Sequence, residues 1–187
     1  MTSVSEDTAL SALVERARAG ERDAVEQLVA AMRPPIYRYV LSRLLDPHLA
    51  DDVTQEVMVT MVTALSRYVD QGRPFGAWVF GIAGNKVSES RRSASRRRES
   101  ASAILPDQPA DHALEPEAAV VRLEASARVA ALLETLPHQQ AEVLRLRIAA
   151  GLSAEETAAV LGMTPGAVRV AQHRALARLR ATAEVAS

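Results

Sequence analysis

From Arg22 to Leu45 the stretch RDAVEQLVAAMRPPIYRYVLSRLL repeats apolar residues at three- and four-residue intervals, with the pair Pro34-Pro35 in its middle. Proline lacks an amide proton and its ring clashes with the preceding turn, so the pattern predicts two helices separated at that pair. In the next stretch, LADDVTQEVMVTMVTALSRY, a turn of 100° per residue gathers Ala50, Val53, Val57, Met58, Met61, Ala64 and Leu65 on one broad face. Asp52, Gln55, Glu56, Val59, Val62 and Thr63 fall on the opposite one. The first face is core. The second is a polar, acidic surface interrupted by two valines, and it reads either as ordinary surface hydrophobicity or as a docking face for a partner helix. After QGRP, the segment FGAWVFGIAGNKVSESRRSASRRR can turn Phe75, Trp78, Val79, Ile82 and Val87 inward and then becomes basic.

The stretch Ala101 to Ala119 carries three prolines, four acids and no sustained apolar period, and it reads as an inter-domain linker. Two helical units are expected on either side of it, residues 9–100 and 120–184. In the second, LEASARVAALLETLPHQQAEVLRLRIAAGLS forms two amphipathic helices parted at Leu136-Pro137, with Pro137 at a first helical position. Ser153 and Glu156 fit a capping box that opens AEETAAVL, Gly162 suits a left-handed stop, and Thr164-Pro165 starts the last helix.

Composition supports an all-helical reading: aromatics are only 3% of the chain, so the core rests on Leu, Val, Ala and Met. There is no cysteine, which excludes a disulfide framework, a thiolate zinc site and a cysteine nucleophile. His48, His112, His138 and His173 lack metal-ligand spacing, so no metal and no cofactor are expected. No run approaches a membrane span and the N-terminus MTSVSEDTAL does not resemble a signal peptide, which points to a cytoplasmic protein without membrane insertion.

The net charge of −1 hides a strong segregation. Between Asn85 and Arg98 lie Lys86, Arg91, Arg92, Arg96, Arg97 and Arg98 against the single acid Glu89. Between Met163 and Arg180 lie four arginines and no acid. A helix end can accommodate a few bases at the negative pole of its dipole, but six exceed that role and suit a phosphate-facing surface.

On a wheel of Thr164 to Arg180, Val168, Ala175, Leu176 and Leu179 form the inward stripe. Gly166, Arg169, Val170, His173, Arg174 and Ala177 lie outside. Two helices joined by a three-residue turn, the second with outward bases on short-side-chain ground, are what a helix-turn-helix requires. Small residues allow approach to the major groove, where arginine can donate to guanine O6 and N7 or to phosphate. Plain bundles also contain cationic helices, but the caps, turn and charge asymmetry together favour DNA.

At this point a family resemblance becomes specific. ADDVTQEVMVTMV resembles the core-polymerase-binding helix of bacterial sigma factors, and FGAWVFGIAGNKVSESRR resembles their −10-reading segment. LPHQQAEVLRLRIAAGLSAEETAAVLGMTPGAVRVAQHRALARLR is similar to their −35-reading domain. The order and length match the extracytoplasmic-function (ECF, group 4) family, and GRPFGAWVFGIAGNKV with GLSAEETAAVLG and GAVRVAQHRAL looks closest to its actinobacterial SigD-like branch. The resemblance implies a sigma-2-like helical bundle over 9–100 and a sigma-4-like helix-turn-helix domain over 120–184, joined by a flexible acidic linker over 101–119.

It also implies site residues. Asp51, Asp52, Gln55, Glu56 and Val59 match the helix that binds the β′ clamp helices of core RNA polymerase, whose β subunit is a further contact. Asn85 matches an asparagine at the pocket for an unstacked −10 base, and Lys86, Arg91 and Arg92 are candidates for the neighbouring phosphates. Arg169 and Arg174 match bases of the −35 helix, with His173 facing the groove. Val170 can meet a thymine methyl, while Ala171 stands where a base is common. Promoter DNA, core polymerase and an anti-sigma factor are the implied partners. A stand-alone helix-turn-helix regulator leaves the first unit without a purpose. An enzyme finds no phosphate loop, nucleophile motif or metal cluster. A helical adaptor leaves the segregated arginines unexplained.

Overall fold

A computed structural model describes residues 3–69, 74–100 and 128–185, and among them every regular element is helical. The helices are α1 (Ser3–Arg18), α2 (Arg22–Leu44), α3 (Pro47–Ala64) and α4 (Phe75–Ser100), then α5 over 128–134, α6 (His138–Leu144), α7 (Ala154–Leu161) and α8 (Pro165–Val185). A 3-10 turn (Leu65–Arg67) follows α3, and a π-helical turn (Arg145–Ala149) extends α6. The proposed linker, 101–119, lies outside the described residues.

The break expected at Pro34-Pro35 is absent: α2 runs through both prolines as one helix of 23 residues. Its buried stripe, Ala24, Leu28, Met32, Ile36, Tyr39 and Val40, spans the pair on a single face, while Pro34 is exposed. Each interior proline costs about 3 kcal/mol, but burying the five large side chains of this stripe on a common core returns about 1.5–3 kcal/mol apiece. Tertiary packing overrides the local breaker.

The chain leaves α2 through Leu45, which adopts φ 61°, a conformation that strains any residue with a Cβ. Asp46 then caps α3, its side chain accepting from the amides of His48 and Leu49, with Pro47 at the first position. The core face of α3 is as expected from the pattern, with the addition of the fully buried Thr54. Tyr68, Phe75 and Trp78 cluster with ring centroids 5.0–5.4 Å apart and fix the start of α4. Phe75, Val79 and Val87 are buried and Trp78 and Ile82 partly so, joined by Phe80 and Ala83.

In the second half Pro137 precedes α6 as its N-cap, one residue before the first helical position expected of it. The capping box at Ser153 and Glu156 is formed in both directions, and Gly162 takes φ 65° as the left-handed stop. Thr164 Oγ1 accepts from Ala167 N at 3.2 Å to open α8. Val168 and Ala175 are fully buried, with Leu176 and Leu179 packed beside Ala175.

The two halves meet. Leu146, Ala150 and Leu152 are buried in the same cluster as Leu28, Ile36 and Val87, with Val160 and Leu161 of α7 packed against it. Arg38 of α2 donates to the carbonyls of Ala149 and Ala150 at 3.0 and 3.3 Å, satisfying acceptors that the end of a helix leaves open.

Candidate nucleic-acid and partner interfaces

The outward face of α3 follows from its register. Since Val53, Val57 and Met61 are buried, residues half a turn away must face solvent, and Asp51, Asp52, Gln55, Glu56, Val59, Val62 and Thr63 all do. Val59 and Val62 are 52% and 37% exposed, an apolar strip set between carboxylates. The strip can bury against an aliphatic surface while its acids meet bases. Asp51 has a partner within the fold: Arg33 of α2 lies 3.3 Å away. The pairing follows from helix packing, since α2 and α3 lie side by side, and no local sequence signal announces it.

The expected −10 residues all lie on α4 but differ in state. Asn85, Arg91 and Arg92 are exposed. Asn85 lies seven residues beyond Trp78, nearly two full turns, which returns it to the same side of the helix about 10 Å further along. At the Trp78 end a cavity of about 330 Å³ is lined by Ala64, Arg67, Tyr68, Val69 and Trp78. Lys86 is committed: its ammonium lies 2.9 Å from Glu56 of α3 and 3.9 Å from Glu89. The hydrogen bond to Glu56, then that carboxylate's charge, raises the Lys86 pKa above its ordinary value.

On α8 the exposed set matches the wheel: Gly166, Arg169, Val170, His173, Arg174 and Ala177. Val170 is 49% exposed, an apolar side chain among bases. Arg169 reaches back to Glu155 of α7 at 2.6 Å. Its own backbone amide, at the start of α7, and then Arg169 hold the Glu155 carboxyl below the usual range. Ala171 is half-buried against Val143, Ala154 and Val168, which explains a small apolar residue there: it packs the helix-turn-helix instead of facing a groove.

Sequence reasoning missed the junction between the halves. Glu142 of α6 is buried, and its Oε1 accepts from Arg43 at 2.5 Å and from Arg145 at 3.0 Å. Its Oε2 accepts from the Tyr39 hydroxyl at 3.1 Å. Burial and then the Glu142 charge push the Tyr39 phenol far above its ordinary value, so it stays a donor. Nothing in a one-dimensional pattern marks the glutamate of HQQAEVL as buried. Among the described residues no group of His, Cys, Asp and Glu could hold a metal, and no helix is long and apolar enough to cross a membrane.

Known proteins match this arrangement over most of its length. A family model described as Sigma-70 region 2 matches residues 28–97, and one described as Sigma-70, region 4, matches residues 126–179. The chain is 48% identical to the ECF RNA polymerase sigma factor ShbA of Streptomyces griseus, over 96% of this chain and 97% of that protein. It is 46% identical to the ECF RNA polymerase sigma factor SigD of Mycobacterium tuberculosis, over 91% of this chain and 82% of that protein. Among solved structures, CnrH in complex with the cytosolic domain of CnrY superposes with a TM-score of 0.68 at 32% identity, covering 94% of this chain and 97% of that one.

Proposed function

The chain belongs to the ECF group of bacterial RNA polymerase sigma factors, near SigD, and from that premise we propose which of its surfaces carries each step. As an ECF sigma factor it binds core RNA polymerase and directs it to promoters, through −10 and −35 elements.

The outward face of α3, with Asp51, Asp52, Gln55, Glu56 and Val59, is the core-polymerase surface and meets the basic β′ clamp helices, with the β subunit as a further contact. The observation that carries this is the pair of exposed valines held among carboxylates on an otherwise regular amphipathic helix. Asn85 reads an unstacked −10 base and Lys86, Arg91 and Arg92 hold adjoining phosphates. Arg169, Val170, His173 and Arg174 read the −35 duplex. Residues 9–100 and 120–184 act as the two domains, with 101–119 as the linker.

The protein performs no catalysis of its own; the chemistry belongs to the polymerase. Its partner and its template make it a cytoplasmic protein. An anti-sigma factor is a further partner, supported by CnrH being bound to the cytosolic domain of CnrY in a similar structure. The direct test is core binding by the full chain and by a variant carrying Gln55→Ala with Glu56→Lys. Reduced affinity in the variant is expected, and equal affinity removes that face from the interface.

A further inference from the structure

We propose that Arg147 is a positioning residue for −35 reading. Through Gln172 it sets the rotation of α8 about its own axis, and so where Arg169, Val170, His173 and Arg174 point, without touching DNA itself. The proposal rests on the sigma reading for what α8 reads, and on contacts within the second helical unit for the rest.

The apolar contacts of α8 leave its rotation weakly set. Val168 and Ala175 are fully buried and Ala171 is half-buried between them. These side chains are short, and apolar contact is non-directional, so a small turn of the helix changes their burial little. The reading side chains are less tolerant. A tip about 6 Å from the helix axis moves about 1 Å for every 10° of rotation, whereas a recognition group has to be held within about 0.5 Å. A directional contact has to fix the angle.

Arg147 supplies it. The residue lies half-buried on the π-helical turn that extends α6, and its guanidinium bridges two parts of the helix-turn-helix. Nε donates to Gln172 Oε1 of α8 at 3.0 Å. A second nitrogen donates to the Leu152 carbonyl, just before the Ser153 cap of α7. Leu152 is fixed in turn, because its amide donates to the Leu146 carbonyl at 3.0 Å. Gln172 stands four residues beyond Val168 and three before Ala175, so the tie holds α8 along its inward edge. A rigid, planar guanidinium that bonds acceptors through two of its nitrogens leaves neither much freedom to turn. Two further ties to α8, Arg169 to Glu155 and Arg178 to Gln140, are exposed and open to competition from water and DNA. Arg147 also faces Glu155: after the Glu155 amide and Arg169, its charge helps to lower that carboxyl's pKa.

The test uses the full chain with core polymerase on a promoter library randomised over the −35 element, with transcripts counted by sequence. Gln172→Met keeps the length of the side chain and loses the acceptor. Gln172→Glu keeps an acceptor for Arg147 but places a negative charge on α8, and Arg147→Met loses both donors. Gln172→Met and Arg147→Met should each flatten the preference among −35 sequences about tenfold. The double variant should do no worse than Arg147→Met, since the two residues act as one. Gln172→Glu should retain the wild-type ranking. Circular dichroism checks that the helices persist, and Gln172→Met, which leaves the Leu152 contact in place, carries the test if Arg147→Met fails to fold. An unchanged preference in Gln172→Met overturns the proposal. So does greater flattening by Gln172→Glu than by Gln172→Met, which makes Gln172 a DNA contact. A uniform loss in Arg147→Met, with the salt slope lowered by about one, also overturns it and makes Arg147 a phosphate contact. A wild-type chain that yields no transcripts with core polymerase contradicts the sigma reading instead, and direct binding of the same variants to the library duplexes then decides the role of Arg147.

Discussion

Lys86 Nζ stands 2.9 Å from Glu56 Oε2, which ties a base of α4 to an acid on the outward face of α3. A residue we propose to face polymerase and one we propose to face the promoter are thus linked to each other. Replacing Glu56 by Gln frees the ammonium for phosphate and removes one acid from the docking face. Core binding should weaken while the salt dependence of promoter binding steepens. Titrations against core polymerase and against promoter DNA at several salt concentrations check both; movement of neither dissociates this pair from function.

A second exposed pair makes a prediction of opposite sign. Arg169 is bound to Glu155, so a DNA phosphate or base must compete with that carboxylate and approach its charge. Glu155→Gln should raise affinity for a −35 duplex several-fold at low salt, with the gain shrinking as salt rises. Anisotropy with a short duplex measures it, and unchanged affinity would mean that Arg169 does not reach DNA.

Arg174 makes no ion pair among the described residues and stands one turn beyond Val170. Arg174→Ala should cost about 1–3 kcal/mol at one −35 position if its contact is bidentate to a base. A uniform loss across sequences identifies a phosphate contact instead. Asn85→Ala, tested in the same manner with a randomised −10 library, should relax preference at a single position; an unaltered preference would sink the pocket assignment.

The tandem prolines predict a stability change. Pro34 is exposed inside α2, and Pro34→Ala restores a helical amide without disturbing the buried stripe. Thermal unfolding should show a gain of about 1–3 kcal/mol. By contrast Leu28→Ala, on the fully buried face, should lose about 2–5 kcal/mol.

Local signals carried most of the fold. The capping box at Ser153, the left-handed Gly162, Thr164 with Pro165, and the inward stripes of α3 and α8 are each written in a few neighbouring residues, and each is formed. What escaped the sequence depends on distant partners. Pro34-Pro35 looks like a stop because proline's cost is local, whereas the burial that outweighs it comes from α3 and α4. Glu142 reads as a surface acid on a short helix because Arg43 and Tyr39 are about a hundred residues away. The exposed faces of α3, α4 and α8 were legible for the opposite reason: they are set by register alone, and register follows from the core positions opposite.

As an ECF sigma factor, this chain converts core polymerase into a promoter-specific enzyme. In vitro transcription from a pool of genomic fragments by sigma-free actinobacterial core polymerase, with and without the chain, followed by sequencing of transcript 5′ ends, reads this conversion out. Discrete start sites should appear only with the chain and share two upstream elements. An unresponsive polymerase, with the chain alone shifting particular fragments, would contradict it and make the protein a stand-alone DNA-binding regulator.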